Sequence, residues 1–432
     1  MPRFVLPGFT FVLAAFAVCA LADPTADSAH DTDYSAEILA LAERPEVRKA
    51  FDLIAIGERA SDRQLITLTE IPAPPFGESV RAQQYAQMLR DLGMKEVAVD
   101  EVGNVLAYWR GSGGDHTVAI VAHLDTVFPA ATDVSVRREG DRFYAPGIGD
   151  NSRGLVLMLS MIRALRDAQL RTRGDILFVA SVGEEGIGDL RGVKHLFRDG
   201  GPDIDELIAV DGGNDARVLN HAIGSYRYRL SFSGPGGHSW GAFGMANPAH
   251  ALASAIHYFT VEASDLVQTG PRTSYNIGRI GGGTSVNAIP FESWAEIDLR
   301  SEDPDQLQVL DAIFQRAVSR SLVEHNESRT RGQALSVQVK AIGRRPSGKV
   351  ATQTPLIQRA LAVTRYFGIE PLLGSGSTDA NVPIARGIPA TTISRGGISG
   401  GAHSLGEWWS PRNSELGVQK ALLLTLASVG LE

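Results

Sequence analysis

The chain carries short, near-continuous apolar runs separated by amphipathic stretches. Thr117–Ala122 (TVAIVA), Asp175–Val182 (DILFVASV) and Leu207–Val210 each read as a strand buried on both faces. Asn151–Ala168 places Leu155, Leu159, Ile162 and Leu165 along one side of a helix, and Glu78–Leu92 does the same with Tyr85, Met88 and Leu92. A further helix is predicted from Ile38 to Ile56. Buried strands alternating with helices predict an α/β fold, a mostly parallel sheet with helices on both faces.

The pattern changes near Gly224. Arg227–Ser233 (RYRLSFS) alternates, as a strand open to water on one face does. A helix (Pro248–Ala263), two strands (Thr273–Ile280, Ser293–Arg300), a helix (Pro304–Val323) and a strand (Leu335–Ile342) follow. That order, β-α-β-β-α-β, is ferredoxin-like and predicts a complete domain over 224–342. The α/β grammar then resumes with Thr354–Phe367, Ala390–Ser394 and Ser414–Val429. The expectation is one domain in two segments, 23–223 and 343–432, interrupted by the second.

Composition agrees with this and narrows the partners. A chain of 432 residues is long for a single core. With 41 Lys and Arg against 49 Asp and Glu it has no overall basic footprint for nucleic acid. A single Cys excludes a disulfide framework and any paired-cysteine metal site. Residues 1–22 read as a signal peptide: Arg3, an apolar stretch, then Ala20-Leu21-Ala22 as a small-x-small cleavage site. The expectation is a periplasmic or secreted protein, free of the membrane after cleavage, whose only thiol leaves with the signal.

The polar residues at the strand exits carry the chemistry. The first three buried runs lead into His123-Leu124-Asp125, Gly183-Glu184-Glu185 and Asp211-Gly212-Gly213. A glycine-rich turn holding Asp150 opens the helix between the first two, and Gly400-Gly401-Ala402-His403 follows the strand Ala390–Ser394. Ligands of open α/β sheets bind beyond the carboxyl ends of strands, so these residues are expected to converge. Imidazole and carboxylate without thiolate suit zinc, with manganese or cobalt as substitutes. Asp125, two residues from His123, is placed to orient that ligand. A serine-hydrolase elbow at Gly397-Ile398-Ser399-Gly400-Gly401 fails, because no apolar helix and no later acid-then-His pair follows it. Gly186–Gly188 and Gly278–Thr284 lack the third glycine and the lysine that nucleotide loops need.

Taken in order, these motifs with Gly236-Gly237-His238-Ser239 and Asn287-Ala288-Ile289-Pro290 resemble the di-zinc peptidase and deacylase family of peptidase T, acetylornithine deacetylase, succinyl-diaminopimelate desuccinylase and glutamate carboxypeptidase. The resemblance runs from about Ser61 to the C-terminus. It implies two zinc ions per subunit, one held by His123 and Asp211, the other by Glu185 and His403, with Asp150 bridging and a cis Asp150–Asn151 peptide. It implies attack by a metal-bridged hydroxide with Glu184 as general base. It implies that His238 stabilises the oxyanion, often from a partner subunit, and that Asn287, Arg300 and the Gly397–Gly401 loop (Gly397 and Gly400 included) contact substrate. The interrupting domain is then a lid and dimerisation unit, giving a homodimer. The implied activity is exopeptidase action on short peptides, with N-acyl-amino-acid deacylation or carboxypeptidase action as the alternative and a non-catalytic binder as the remote one. Arg153 stands where many relatives have an acidic residue or a lysine, which bears on substrate preference.

Overall fold

The apolar runs that end in acidic or imidazole residues are neighbouring strands of one sheet. In this computed structural model, which describes residues 34–58, 61–113 and 115–432, Thr117–His123 pairs in parallel with Asp175–Ser181 on one side and Glu206–Val210 on the other. Ala390–Ile393 extends the parallel set beyond Glu206–Val210. Consecutive residues of these strands are buried, as a sheet sandwiched between helix layers requires. Their shared direction puts four carboxyl ends on one edge. Antiparallel strands Glu96–Val99 and Val105–Trp109 finish one side of this nine-stranded sheet, and Arg217–Ala222 with its neighbours finishes the other. The predicted signal peptide, residues 1–22, lies outside the described residues.

Segment 224–345 builds a separate four-stranded antiparallel sheet. Its strands run Thr273–Gly282, Glu292–Ser301, Gly224–Ser233, Ser336–Arg345 across the sheet. Strand Glu292–Ser301 alternates strictly between buried and less buried positions, so one face is dry. Helices Pro248–Gln268 and Pro304–Glu327 cover that face around Leu230, Phe232, Phe259, Leu299 and Phe314. Each helix starts with a proline in its first turn and a capping side chain, Asn247 to Ala249 N and Asp303 to Gln306 N. This apolar cluster is distinct from the one around the nine-stranded sheet. The opposite face is an ionic ladder, with Arg229 on Glu296 at 3.0 Å and both Arg227 and Arg300 on Asp298 at 3.2 and 2.6 Å.

Several boundaries differ from the sequence reading; helices Pro248–Gln268 and Pro304–Glu327 run past the expected 263 and 323, and three other differences have a physical reason or bear on the site. The helix expected over Ile38–Ile56 is two, Tyr34–Ala42 and Pro45–Gly57, because Pro45 can start a helix but cannot continue one. The helix expected from Asn151 begins at Gly154, since residues 148–153 form an irregular turn that serves the site. Strand Ser336–Arg345 runs three residues past 342, and its final residue enters the site described next. Among the described residues no helix is long and apolar enough to cross a membrane.

Candidate metal centre

His123 is the last residue of its strand and is buried. Its Nδ1 lies 2.9 Å from the Asp125 carbonyl oxygen, which leaves Nε2 facing Asp150 Oδ1 at 3.2 Å. The Asp125 carboxylate does something else. Fully buried, it accepts Glu184 N on Oδ1 at 2.9 Å and Glu185 N on Oδ2 at 2.8 Å. Its nearest oxygen is 3.6 Å from His123 Nδ1, too long for a hydrogen bond. Asp125 thus orients His123 through its backbone and uses its side chain to tie two strand exits together. Buried Arg81 supports the same turn by donating to the Leu124 carbonyl at 2.8 Å.

Asp150 sits between two imidazoles. Its Oδ1 faces His123, and its Oδ2 lies 3.3 Å from His403 Nε2, which is also 2.8 Å from Glu185 Oε1. The Asp150–Asn151 peptide is cis. Asn151 Nδ2 anchors the turn to the Val210 carbonyl at the next strand exit. One ligand atom each from His123, Asp150 and Glu185 lie within 4.8 Å of one another. Asp211, after strand Glu206–Val210, accepts from Arg395 Nη1 at 3.1 Å, and the same nitrogen reaches Asp150 Oδ1 at 3.3 Å.

The donor set fits metal. Two nitrogen or oxygen ligands at ~2.0–2.1 Å from a tetrahedral zinc stand about 3.3 Å apart. The two contacts of Asp150 with imidazole match this spacing, one from each oxygen. The same groups pair with one another, and their pKa values shift accordingly. Burial works to raise the Asp150 pKa, but Arg395 and the two imidazoles outweigh it and hold the carboxyl well below its ordinary range. His403, hydrogen-bonded to Asp150 and Glu185, is raised to about 10. Burial works against a charged His123, yet Asp125 and Asp150 lift it well above its ordinary value. Burial, aided by neighbouring Asp150, raises Asp211. Burial raises Glu184 well above the carboxylate range, with repulsion from Glu185 adding and Arg345 opposing.

A cavity of about 370 Å³ opens over this cluster, within the range of small-molecule sites. Asp150, Glu184, Glu185, Asp211 and His403 line one side, and Arg227, Arg300 and Arg345 line it from the second sheet. Arg345 Nη1 donates to Glu184 Oε1 at 3.0 Å and to Ser377 Oγ at 3.0 Å. Arg300 gives only its Nε to Asp298, leaving its terminal nitrogens without a partner among the described residues.

Other candidates fall elsewhere. His238, on a two-residue strand paired with Ala288–Ile289, and Asn287, just before that partner strand, are both exposed and do not line the cavity; Asn287 O accepts Ser239 N at 2.9 Å, and His238 Nδ1 accepts from Trp240 N and Gly241 N. Gly397 and Gly400 do not line the cavity. They make room for tryptophan, since a Cβ would come 2.4 Å from Trp409 Nε1 at Gly397 and 2.9 Å from Trp408 Nε1 at Gly400. Arg153 turns away from the cleft and pairs with buried Glu58 at 2.7 Å, so its departure from the family pattern serves the core. Sequence reasoning missed Arg345, Arg395 and Glu407. The Glu407 carboxylate accepts Gly147 N, Gly149 N and Asp150 N at 2.8 to 2.9 Å. For Glu407 a signal existed, an acid four residues after His403; for the arginines none did.

A parallel α/β sheet with clustered His and carboxylate groups at its strand exits, beneath a small cavity, defines the class of metal-dependent hydrolases. The chain belongs to peptidase family M20/M25/M40, whose model matches residues 119–426, and is a metal-dependent peptidase or amidohydrolase. It is 23% identical to the uncharacterized protein YqjE of Bacillus subtilis over 79% of this chain and 91% of that one. It is 24% identical to carboxypeptidase G2 of Pseudomonas sp. over 66% of this chain and 67% of that one. Its fold superposes on the aminopeptidase PepT of Bacillus cereus with a TM-score of 0.67 at 21% identity, covering 86% of this chain and 98% of that one.

Proposed function

We propose that the protein is a two-zinc exopeptidase acting on short peptides. The observation that carries the reading is the Asp150 carboxylate, whose two oxygens face two different imidazoles at near-equal distances, 3.2 and 3.3 Å. His123, Asp150 and Asp211 would hold one ion, and Asp150, Glu185 and His403 the other; cobalt or manganese would substitute. Bound zinc supplies Lewis acidity and an acidified water at neutral pH. The chain supplies the rest. Glu184, adjacent to ligand Glu185 and raised by burial, takes a proton at its carboxylate and returns it to the leaving amine. The Arg345 bond to Oε1 leaves Oε2 of Glu184 as the atom for that transfer.

Substrate orientation comes from the arginine wall. The unpaired terminal nitrogens of Arg300 suit a substrate carboxylate. This feature also supports a second reading, N-acyl-amino-acid deacylase or carboxypeptidase, whose substrates present the same group. His238 and Asn287 would act in a homodimer, delivered to a partner's cavity by the 224–345 segment acting as lid. The exposed Trp240, Phe243 and Val286 beside them would be covered by that contact. The predicted leader places the mature enzyme in the periplasm or outside the cell.

Metal analysis of protein purified without chelator should find close to two ions per chain; persistent absence would remove the site. A product-identified screen of dipeptides, tripeptides and N-acyl amino acids separates the two readings. Glu184→Gln should keep its metal and lose about 10²–10⁴-fold in turnover, and unchanged turnover would exclude it as the base.

A further inference from the structure

We infer that Glu407 is a positioning residue that fixes the backbone of Asp150 and thereby sets the metal affinity of the centre. The inference rests on the metal reading above and extends it to a residue outside the ligand set. Glu407 directly precedes strand Trp408–Ser410, which pairs with Arg142–Tyr144, so the loop leading to Asp150 passes over its side chain. The Glu407 carbonyl accepts Ala145 N at 3.1 Å. Its carboxylate then takes three further amides of the same loop: Gly147 N on Oε2 at 2.8 Å, and Gly149 N and Asp150 N on Oε1 at 2.9 and 2.8 Å. Four backbone donors of one six-residue stretch therefore end on a single buried residue.

The glycines are what allow the approach. A Cβ at Gly149 would stand 3.0 Å from Glu407 Oε1, and one at Gly147, whose φ is +78°, would stand 2.5 Å from Thr126 Cγ2. Arg395 completes the arrangement, holding the Asp150 side chain at Oδ1 while Glu407 holds its amide. With both ends fixed, the two oxygens of Asp150 have one orientation in which each meets an imidazole. Partners that orient ligands typically govern metal affinity by about 10–100-fold.

The test is a cobalt titration of the metal-free full-length chain, followed by visible absorption, on wild type and Glu407→Gln. Glutamine keeps the length but turns an amino group toward one of the three N–H donors. The wild type should bind two equivalents, and the variant should bind about 10–100-fold more weakly with a displaced cobalt band. Gly149→Ala, which presses on the same oxygen without removing it, should shift binding in the same direction by less, and serves if Glu407→Gln does not fold. If either folded variant binds with wild-type affinity and spectrum while only its unfolding midpoint falls, Glu407 is a structural brace and the inference is wrong. If the wild type itself takes up no cobalt, the metal reading falls and this inference with it.

Discussion

Replacing Asp125 by Asn tests whether one carboxylate ties the proposed base and a proposed ligand together. Both oxygens are engaged, at 2.9 Å to Glu184 N and 2.8 Å to Glu185 N, and the side chain is fully buried. Asparagine offers one acceptor and one amino group, so one of the two amides must face a donor. A hydrogen bond to a charged group contributes about 1.5–3 kcal/mol, and a buried donor left unmade costs about 1–3 kcal/mol. The change also removes the negative charge that stabilises buried Arg81 and the protonated form of His123. These effects overlap, so a loss of about 2–4 kcal/mol is expected in the metal-free protein. Urea denaturation of metal-free wild type and variant should show a lower midpoint with an unchanged slope. Zinc affinity and turnover should fall as well, because Glu184 and Glu185 move together. Midpoint, affinity and turnover all matching wild type would refute the role given to Asp125.

Two further outcomes follow from buried charge. Arg153→Met leaves Glu58 in the core with the Ser160 hydroxyl, at 2.8 Å, as its one remaining side-chain hydrogen-bond partner among the described residues, and should destabilise the fold by about 3–5 kcal/mol. Adding Glu58→Gln should recover much of that loss in denaturation experiments, and no recovery would mean Arg153 acts by packing on Trp409 instead. For His403, the metal-free folded chain holds its proton up to about pH 10 against an ordinary 6.5. A raised pKa gives stability that is fully present below 6.5 and lost as pH rises through about 10. The stability gap between metal-free wild type and His403→Gln should therefore narrow from pH 6.5 to 10, and a widening gap would contradict the ion pairs drawn with Asp150 and Glu185.

The sequence displayed the ligand candidates because each is local to a strong pattern. His123, Glu185 and Asp211 follow buried strands, and parallel strands deliver their ends to one edge whatever the details of packing. Asp150 was visible through its glycines, which the structure explains by the crowding of Glu407 and Thr126 against the loop. The helix boundary beside it was misplaced for the same reason: a turn shaped for a side chain follows no helical period. Arg345 and Arg395 left no trace. A buried arginine on a strand and a surface arginine look alike in one sequence, and only tertiary pairing with Glu184 and with Asp150 and Asp211 separates them. His238 and Asn287 are the reverse case, conspicuous as motifs yet absent from the cavity lining within one chain.

Those unseen arginines change the electrostatic argument. Counting acids alone suggests a centre that only metal can neutralise. Asp150 and Asp211 pair with Arg395, and His123 and His403 are held protonated by neighbouring carboxylates, while at Glu184 burial favours the neutral acid even beside Arg345. Metal binding at this centre must then displace protons, which makes it pH-dependent. Under the two-zinc reading that exchange leaves positive charge in excess, since each divalent ion replaces a single proton and both arginines stay. A centre so charged favours a hydroxide and a substrate carboxylate together, which is the combination an exopeptidase or an acyl-amino-acid hydrolase requires.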